Sequence, residues 1–223
     1  MGTSQEFFKE NIVRFNKKNL DTIADALERS GYIILSDALS KNLMGILHER
    51  VQNLSPEEWK VAGIGRNQKH QLDQCIRSDK IHWISNNNPG ESVFLTWAEN
   101  LRRGLNQRLF QGLFDFEGHF SMYPEGAYYQ KHIDTLTGNN NRVLSLVLYL
   151  NTNWDQADAG ELLLYPEAGD QPIQTIMPKF GTLVLFLSEQ FPHEVLKAHR
   201  PRFSLAGWFR VNIGCKADTI AYS

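Results

Sequence analysis

Three residues of this chain could close on one divalent transition metal: His132 and Asp134 in His132-Ile133-Asp134, and His193 in Phe191-Pro192-His193. A fourth, Arg202 in Arg200-Pro201-Arg202-Phe203, could hold a carboxylate beside it. Two imidazoles and one carboxylate on one face of an ion such as iron(II) leave the opposite coordination positions open for a small anion and for oxygen. His132 and Asp134 are two apart, so on an extended strand they project from the same face and can reach one ion. Taken alone the tripeptide is weak evidence, and His193 alone reads more readily as a strand-end histidine satisfied by backbone. Arg202 shifts that balance. A guanidinium on the interior face of an apolar strand is costly unless it meets an anion, and its planar fork matches a carboxylate through two hydrogen bonds. The competing role for Arg202 is a structural ion pair with an internal Asp or Glu.

Such a site needs strands to carry it, and the second half of the sequence supplies them. From about Leu113 short apolar runs are separated by Pro, Gly and Asn clusters, the signature of an antiparallel sandwich or barrel. In residues 143–150, Val143, Ser145, Val147 and Tyr149 fall on one face and four leucines on the other, so this strand is covered on both sides. Residues 202–210 behave alike, with Arg202, Ser204, Ala206 and Trp208 on one face and Phe203, Leu205 and Phe209 on the other. Tyr149 and Arg202 thereby sit on the faces assigned to the barrel interior. The first half is mainly helical. Leu20, Ile23, Ala24 and Leu27 follow helical spacing before Ser30-Gly31, and Tyr32 to Leu35 reads as a buried strand. A second helix runs through Leu43, Leu47 and Val51, and a longer one follows Asn88-Pro89-Gly90. Residues 63–75 and 135–141 lack apolar periodicity and read as mobile loops beside the site.

Bulk properties set limits on partners. A length of 223 residues suits one domain, with residues 1–112 as a helical part and 113–213 as the β core. A formal charge of -2 gives no electrostatic reason to expect nucleic acid or anionic lipid. Cys75 and Cys215, far apart, make neither a thiolate cluster nor a disulfide framework. With no apolar run long enough for a membrane span and no basic, apolar leader at Met1, a cytoplasmic location is expected. The remaining histidines, His48, His70, His82, His119 and His199, have no partner at ligand spacing and are expected on the surface or in satisfied core positions.

The order His132-Ile133-Asp134, His193, Arg202 resembles the iron- and 2-oxoglutarate-dependent dioxygenases, and the finer pattern resembles the oxygen-sensing type of prolyl hydroxylase and its bacterial relatives. The stretches that carry the likeness include Ile76-Arg77-Ser78-Asp79-Lys80, Met122-Tyr123-Pro124, Tyr149-Leu150-Asn151 with Trp154, Gly160-Glu161-Leu162, Pro192-His193-Glu194-Val195 and Trp208-Phe209. They span nearly the whole chain. This resemblance implies an α+β fold, a double-stranded β-helix (a jelly-roll barrel) with helices packed on its larger sheet. It implies His132, Asp134 and His193 as ligands of Fe(II), Arg202 and Tyr149 on the distal carboxylate of 2-oxoglutarate, and Tyr123 and Trp208 as further pocket walls. Arg77, Asp79, Tyr129 and Arg142 would meet the substrate, with the segment near residues 63–84 closing over it and Arg142 paired with Asp79. The implied reaction consumes O2 and 2-oxoglutarate, releases succinate and CO2, and hydroxylates a proline of a protein or peptide, with ascorbate as reductant. In bacterial relatives the associated protein is elongation factor Tu.

Two alternatives stay open beside that reading: the same machinery acting on a free amino acid or other small molecule, and a barrel that binds metal and ligand without turnover. One local difference from the family's pattern is Ala159-Gly160, where the family has two glycines, a small swap in size. Another is a segment between Tyr123 and His132 one residue shorter than in the animal enzymes.

Overall fold

The computed structural model describes residues 17–63, 77–134 and 141–212. Readings placed on residues 63–75 and 135–141 therefore fall almost wholly outside the described residues.

Helix α1, Lys17–Ser30, buries Leu20, Ile23, Ala24 and Leu27 and ends at Gly31. Gly31 has φ 75, and a Cβ there would meet the Phe191 ring at 2.8 Å, so the helix stops where only glycine fits. Strand β1, Tyr32–Leu35, follows at once. Helix α2, Lys41–Gln52, starts at Ser40, whose hydroxyl accepts from the Leu43 amide. Helix α3, Pro89–Leu109, begins with proline in its first turn and with the Asn88 side chain accepting from the amides of Gly90 and Glu91. Its inward stripe of Phe94, Trp97, Ala98, Leu101 and Leu105 is buried against the sheet. Removing those side chains from water contributes on the order of 10 kcal/mol, before the entropy of ordering the chain is set against it.

The remaining elements are strands. They are β2 (Lys60–Val61), β3 (Lys80–Trp83), β4 (Leu113–Tyr123), β5 (Tyr129–His132), β6 (Arg142–Tyr149), β7 (Leu162–Leu164), β8 (Gln174–Ile176), β9 (Leu183–Leu187), β10 (His193–Val195) and β11 (Arg202–Val211). A seven-stranded antiparallel sheet has the order β1-β9-β6-β11-β4-β3-β2, and a four-stranded one the order β5-β10-β7-β8. The leucines of β6 (144, 146, 148) join Leu205 and Phe209 of β11 and the three helices in one core on the outer face of the large sheet. Tyr149, Leu162, Leu164, Val184 and Phe186 form a second core between the sheets. This is the α+β architecture expected from the sequence pattern and the double-stranded β-helix implied by the resemblance, with both faces of β6 and β11 covered as their composition requires.

One assignment changes. The segment Lys80–Trp83, which the resemblance places in the substrate-closing stretch near residues 63–84 of the mainly helical part, is a strand that pairs with β4 from Lys80↔Met122 to Trp83↔His119. Four residues carry too little periodicity to declare a strand by themselves, and the partner supplies the reason. Its outer side is tied to the helices through Glu91, buried on α3, which accepts from Arg50, lies 3.2 Å from His82 and receives the Ser85 amide.

Candidate active site

Antiparallel pairing of β5 with β10 sets His132 opposite His193 in register, bringing their rings to 4.2 Å. Asp134 lies two residues beyond β5, and its two carboxylate oxygens are each 3.7 Å from one Nε2, of His132 and of His193. The three candidate ligand atoms lie within 4.8 Å of one another. Both imidazoles are oriented from behind: Nδ1 of His132 lies 2.8 Å from the Gln130 carbonyl and Nδ1 of His193 lies 3.0 Å from that of Phe191. A carbonyl only accepts, so each Nδ1 carries the hydrogen and each Nε2 presents its lone pair to the centre. Burial, with the His132 charge beside it, pushes His193 down to about 4, which keeps it a neutral donor near pH 7. Burial opposes the charge on Asp134, but the histidines and the Ser145 hydroxyl outweigh it and hold the carboxyl well below its usual range. Ser145 donates to Asp134 Oδ2 at 2.6 Å and lies 2.9 Å from Ser188, both serines buried. Sequence reasoning left out both hydroxyls, although the alternation of β6 already set Ser145 on the interior face.

The second half of the site stands on three adjacent strands. Arg202 at the start of β11 is paired with Tyr123 of β4, while Ser204 is paired with Tyr149 of β6. The Arg202 guanidinium carbon is 5.0 Å from the Tyr123 ring centre and 4.9 Å from that of Tyr149. Arg202 is 1% exposed, and its Nε donates to the Gly160 carbonyl at 2.9 Å. Gly160 is glycine for close approach: φ is 74, and a Cβ would lie 2.7 Å from the Ala198 Cβ and 3.3 Å from the Arg202 Cδ. No carboxylate pairs with Arg202 among the described residues, which removes the structural ion pair as its explanation there. The Tyr149 hydroxyl is also buried with no hydrogen-bond partner among the described residues. Burial raises its pKa against the pull of the nearby guanidinium. A buried fork with no acid beside it and a nearby buried phenol with no partner, among the described residues, fit a carboxylate that arrives with a ligand.

One cavity of about 380 Å³ joins these parts, lined by the three candidate metal ligands together with Arg202, Tyr123 and Trp208. Trp208 stands six residues along β11 from Arg202, so it walls the far part of the cavity rather than the neighbourhood of the anchor. The residues expected near substrate also assemble here. Arg77 donates to both oxygens of buried Asp79 at 2.6 and 2.9 Å and lies 4.7 Å over the Tyr129 ring. Tyr129 in turn stacks on His132 at 3.5 Å between ring centres. The expected Arg142 to Asp79 pair is corrected: Asp79 is taken by Arg77, while Arg142 pairs with Glu117 at 3.0 Å and lies 3.5 Å over the Trp208 ring. Glu117 is on β4 two residues before His119, one strand nearer to β6 than β3 is. His119, expected on the surface or in satisfied core, also lines the cavity.

With this geometry established, likeness to known proteins is specific. A family model described as the 2OG-Fe(II) oxygenase superfamily matches residues 118–210, the span that holds every candidate ligand and the anchor. A solved prolyl-4-hydroxylase from Pseudomonas putida is 36% identical, with a TM-score of 0.77, over 86% of this chain and 99% of that one. The chain belongs to the 2OG-Fe(II) oxygenase superfamily. Membership names iron(II) and 2-oxoglutarate as the groups for which the triad and the Arg202 pocket are suited. Human Egl nine homolog 1 is 30% identical over 203 residues, 86% of this chain and 47% of that protein. Human prolyl hydroxylase EGLN3 is 28% identical over 85% of this chain and 82% of its own length. The chain spans about half the length of the first curated relatives it matches. A Trichoplax adhaerens prolyl hydroxylase solved with a hypoxia-inducible factor peptide shares the fold at a TM-score of 0.76 and 24% identity. No helix of the described residues in this oxygenase is long and apolar enough to cross a membrane.

Proposed function

We propose that this oxygenase hydroxylates a prolyl residue of a protein, using iron(II), 2-oxoglutarate and O2 and releasing succinate and CO2. The observation that carries the reading is the buried, acid-free Arg202, which lines the same cavity as the His132, Asp134 and His193 triad and has the unpartnered Tyr149 hydroxyl in its neighbourhood. A barrel that held metal alone would have no need of a buried carboxylate anchor, and one that bound the same ligands without turnover is distinguished by the succinate measurement below. The likeness to a human prolyl hydroxylase and a Pseudomonas putida prolyl-4-hydroxylase supports proline as the target. A peptide rather than a free metabolite is favoured by Trp83 and Ile133, which line the cavity while 46% and 41% exposed, so its wall continues to the outer surface.

His132, His193 and Asp134 would hold iron, which with bound 2-oxoglutarate supplies the oxidising chemistry at the metal. The chain's own part is placement. The Gln130 and Phe191 carbonyls fix both imidazoles with Nε2 inward, and Ser145 restrains one Asp134 oxygen, which favours single-oxygen ligation by the other. Arg202 and Tyr149 would fix the distal carboxylate of the co-substrate, with Tyr123 packed on the guanidinium. The apolar walls Leu162, Val195 and Trp208 exclude water from the reacting C–H.

Elongation factor Tu, through the resemblance to bacterial members, is the first protein to try as substrate, in a cytoplasmic setting and with ascorbate as reductant. The direct measurement is succinate formed from 2-oxoglutarate by iron-loaded protein, with and without proline-containing peptides and elongation factor Tu. Stimulation with a mass gain of one oxygen on proline is the expected result. Absence of turnover under every condition, with iron binding undiminished in Asp134→Ala, would sink the enzyme reading.

A further inference from the structure

One buried titratable group in the cavity has no part in holding metal or co-substrate. His119 is 1% exposed and stands on the interior face of β4, cross-strand from Ala206 on one side and Trp83 on the other. The Ala206 methyl is short, which leaves room in front of the imidazole. Two indoles flank the ring, Trp83 at 5.1 Å and Trp208 at 5.6 Å, and all four residues line the cavity that contains the triad. Nδ1 lies 3.2 Å from the Phe120 carbonyl and 3.0 Å from the Ser121 hydroxyl. Because the carbonyl can only accept, Nδ1 carries the hydrogen and Nε2 bears the lone pair. Nε2 has no hydrogen-bond partner among the described residues. Burial and the nearby Arg77 charge hold the imidazole at about 3, far below its ordinary value, so this lone pair persists at neutral pH.

An acceptor without a protein donor, on a residue that lines the cavity, can take the donor that a ligand brings. The carboxylates along the same wall are already engaged, Asp134 by Ser145 and Glu117 by Arg142 and Arg210. A proline within a peptide offers no N–H of its own. The nearest donor on such a chain is the backbone N–H of the residue that follows it.

Building on the prolyl hydroxylase reading above, we infer that His119 Nε2 accepts a hydrogen bond from the backbone N–H following the target proline, making His119 a specificity-determining residue. The flanking indoles pack the pyrrolidine and the next side chain, while His119 fixes the direction in which the peptide runs. A second proline at the following position, which lacks the N–H, is thereby disfavoured.

The test uses the full chain, iron-loaded, with two peptides that differ in one linkage: an amide or an ester between the target proline and the next residue. Hydroxylation is followed by mass spectrometry, and peptide affinity by tryptophan fluorescence. The wild-type protein prefers the amide by about tenfold in kcat/KM, mostly through KM, as expected for one buried hydrogen bond. His119→Phe abolishes that preference, whereas His119→Gln, with a side-chain oxygen near the Nε2 position, retains most of it. Equal use of both peptides by wild type, or an intact preference in His119→Phe, overturns the inference. Should the phenylalanine variant fail to fold, the wild-type ratio alone decides. Amide preference in binding without hydroxylation of either peptide overturns the assigned reaction and leaves the role of His119 standing.

Discussion

Arg202 is the residue whose sequence context said most, since a charge on an apolar strand demands a partner, and the described structure supplies no acid for it. The consequence is measurable. Arg202→Ala should raise the dissociation constant of 2-oxoglutarate on metal-loaded protein by about 10- to 100-fold, the size of a lost charge-assisted fork. Tyr149→Phe, which removes one neutral donor, should cost about fivefold to tenfold. Calorimetric titration checks both, and an unchanged affinity in Arg202→Ala would mean the co-substrate is anchored elsewhere. The triad was legible too, because a two-residue spacing on a strand has one geometric meaning. Ser145, Ser188 and His119 were not. A buried serine and a cavity histidine look like ordinary residues until the opposing strands show what faces them.

Elements were readable where the chain repeats a pattern long enough to be periodic, as in α1, α2, α3, β6 and β11. They were not where pairing alone decides, as in β3, which becomes a strand only by lying beside β4. The Arg142 partner was missed for the same reason, since nothing local says that Glu117 lies closer than Asp79. The turn before β7 shows a further limit. Ala159 in place of glycine was judged a small change by size, yet its backbone sits at φ 55 and ψ -142, a region that favours glycine. Ala159→Gly should relieve that strain by more than the added freedom of the unfolded chain costs, a net stabilisation of about 1 kcal/mol. Thermal unfolding should shift upward by about 2–4 °C. A downward shift would show that the alanine methyl, next to the Ala159↔Ala198 bridge, contributes packing that outweighs the strain.

At the scale of the whole molecule, the interior that protects the site also makes the fold sensitive to acid. His119 is held at about 3 when folded against an ordinary 6.5, chiefly by burial and then by the Arg77 charge. Above pH 6.5 it is neutral in both states and its contribution is fully present. Between 6.5 and 3 the unfolded chain takes up a proton that the folded one refuses, so stability is lost at up to about 1.4 kcal/mol per pH unit from this group. Urea unfolding at pH 7, 5 and 4 should show His119→Phe with a shallower acid decline, by up to one proton. Parallel slopes in the two proteins would place the acid sensitivity in other groups.

The uninterrupted pairing of β11 has a last consequence. From Arg202 to Phe209 it runs against β4 without a break, and register shifts appear only at Arg210, at its far end. The six residue steps from Arg202 to Trp208 therefore form a ruler of about 20 Å, graduated every second residue on the inner side. A ruler of this kind has no fine adjustment. Sliding it by one residue turns every inward group outward, and sliding it by two displaces the anchor by about 7 Å. Inserted or deleted residues are thus tolerable beyond Arg210 and ruinous before it, and a longer or shorter dicarboxylate can be accommodated only by changing side chains, never by moving the strand.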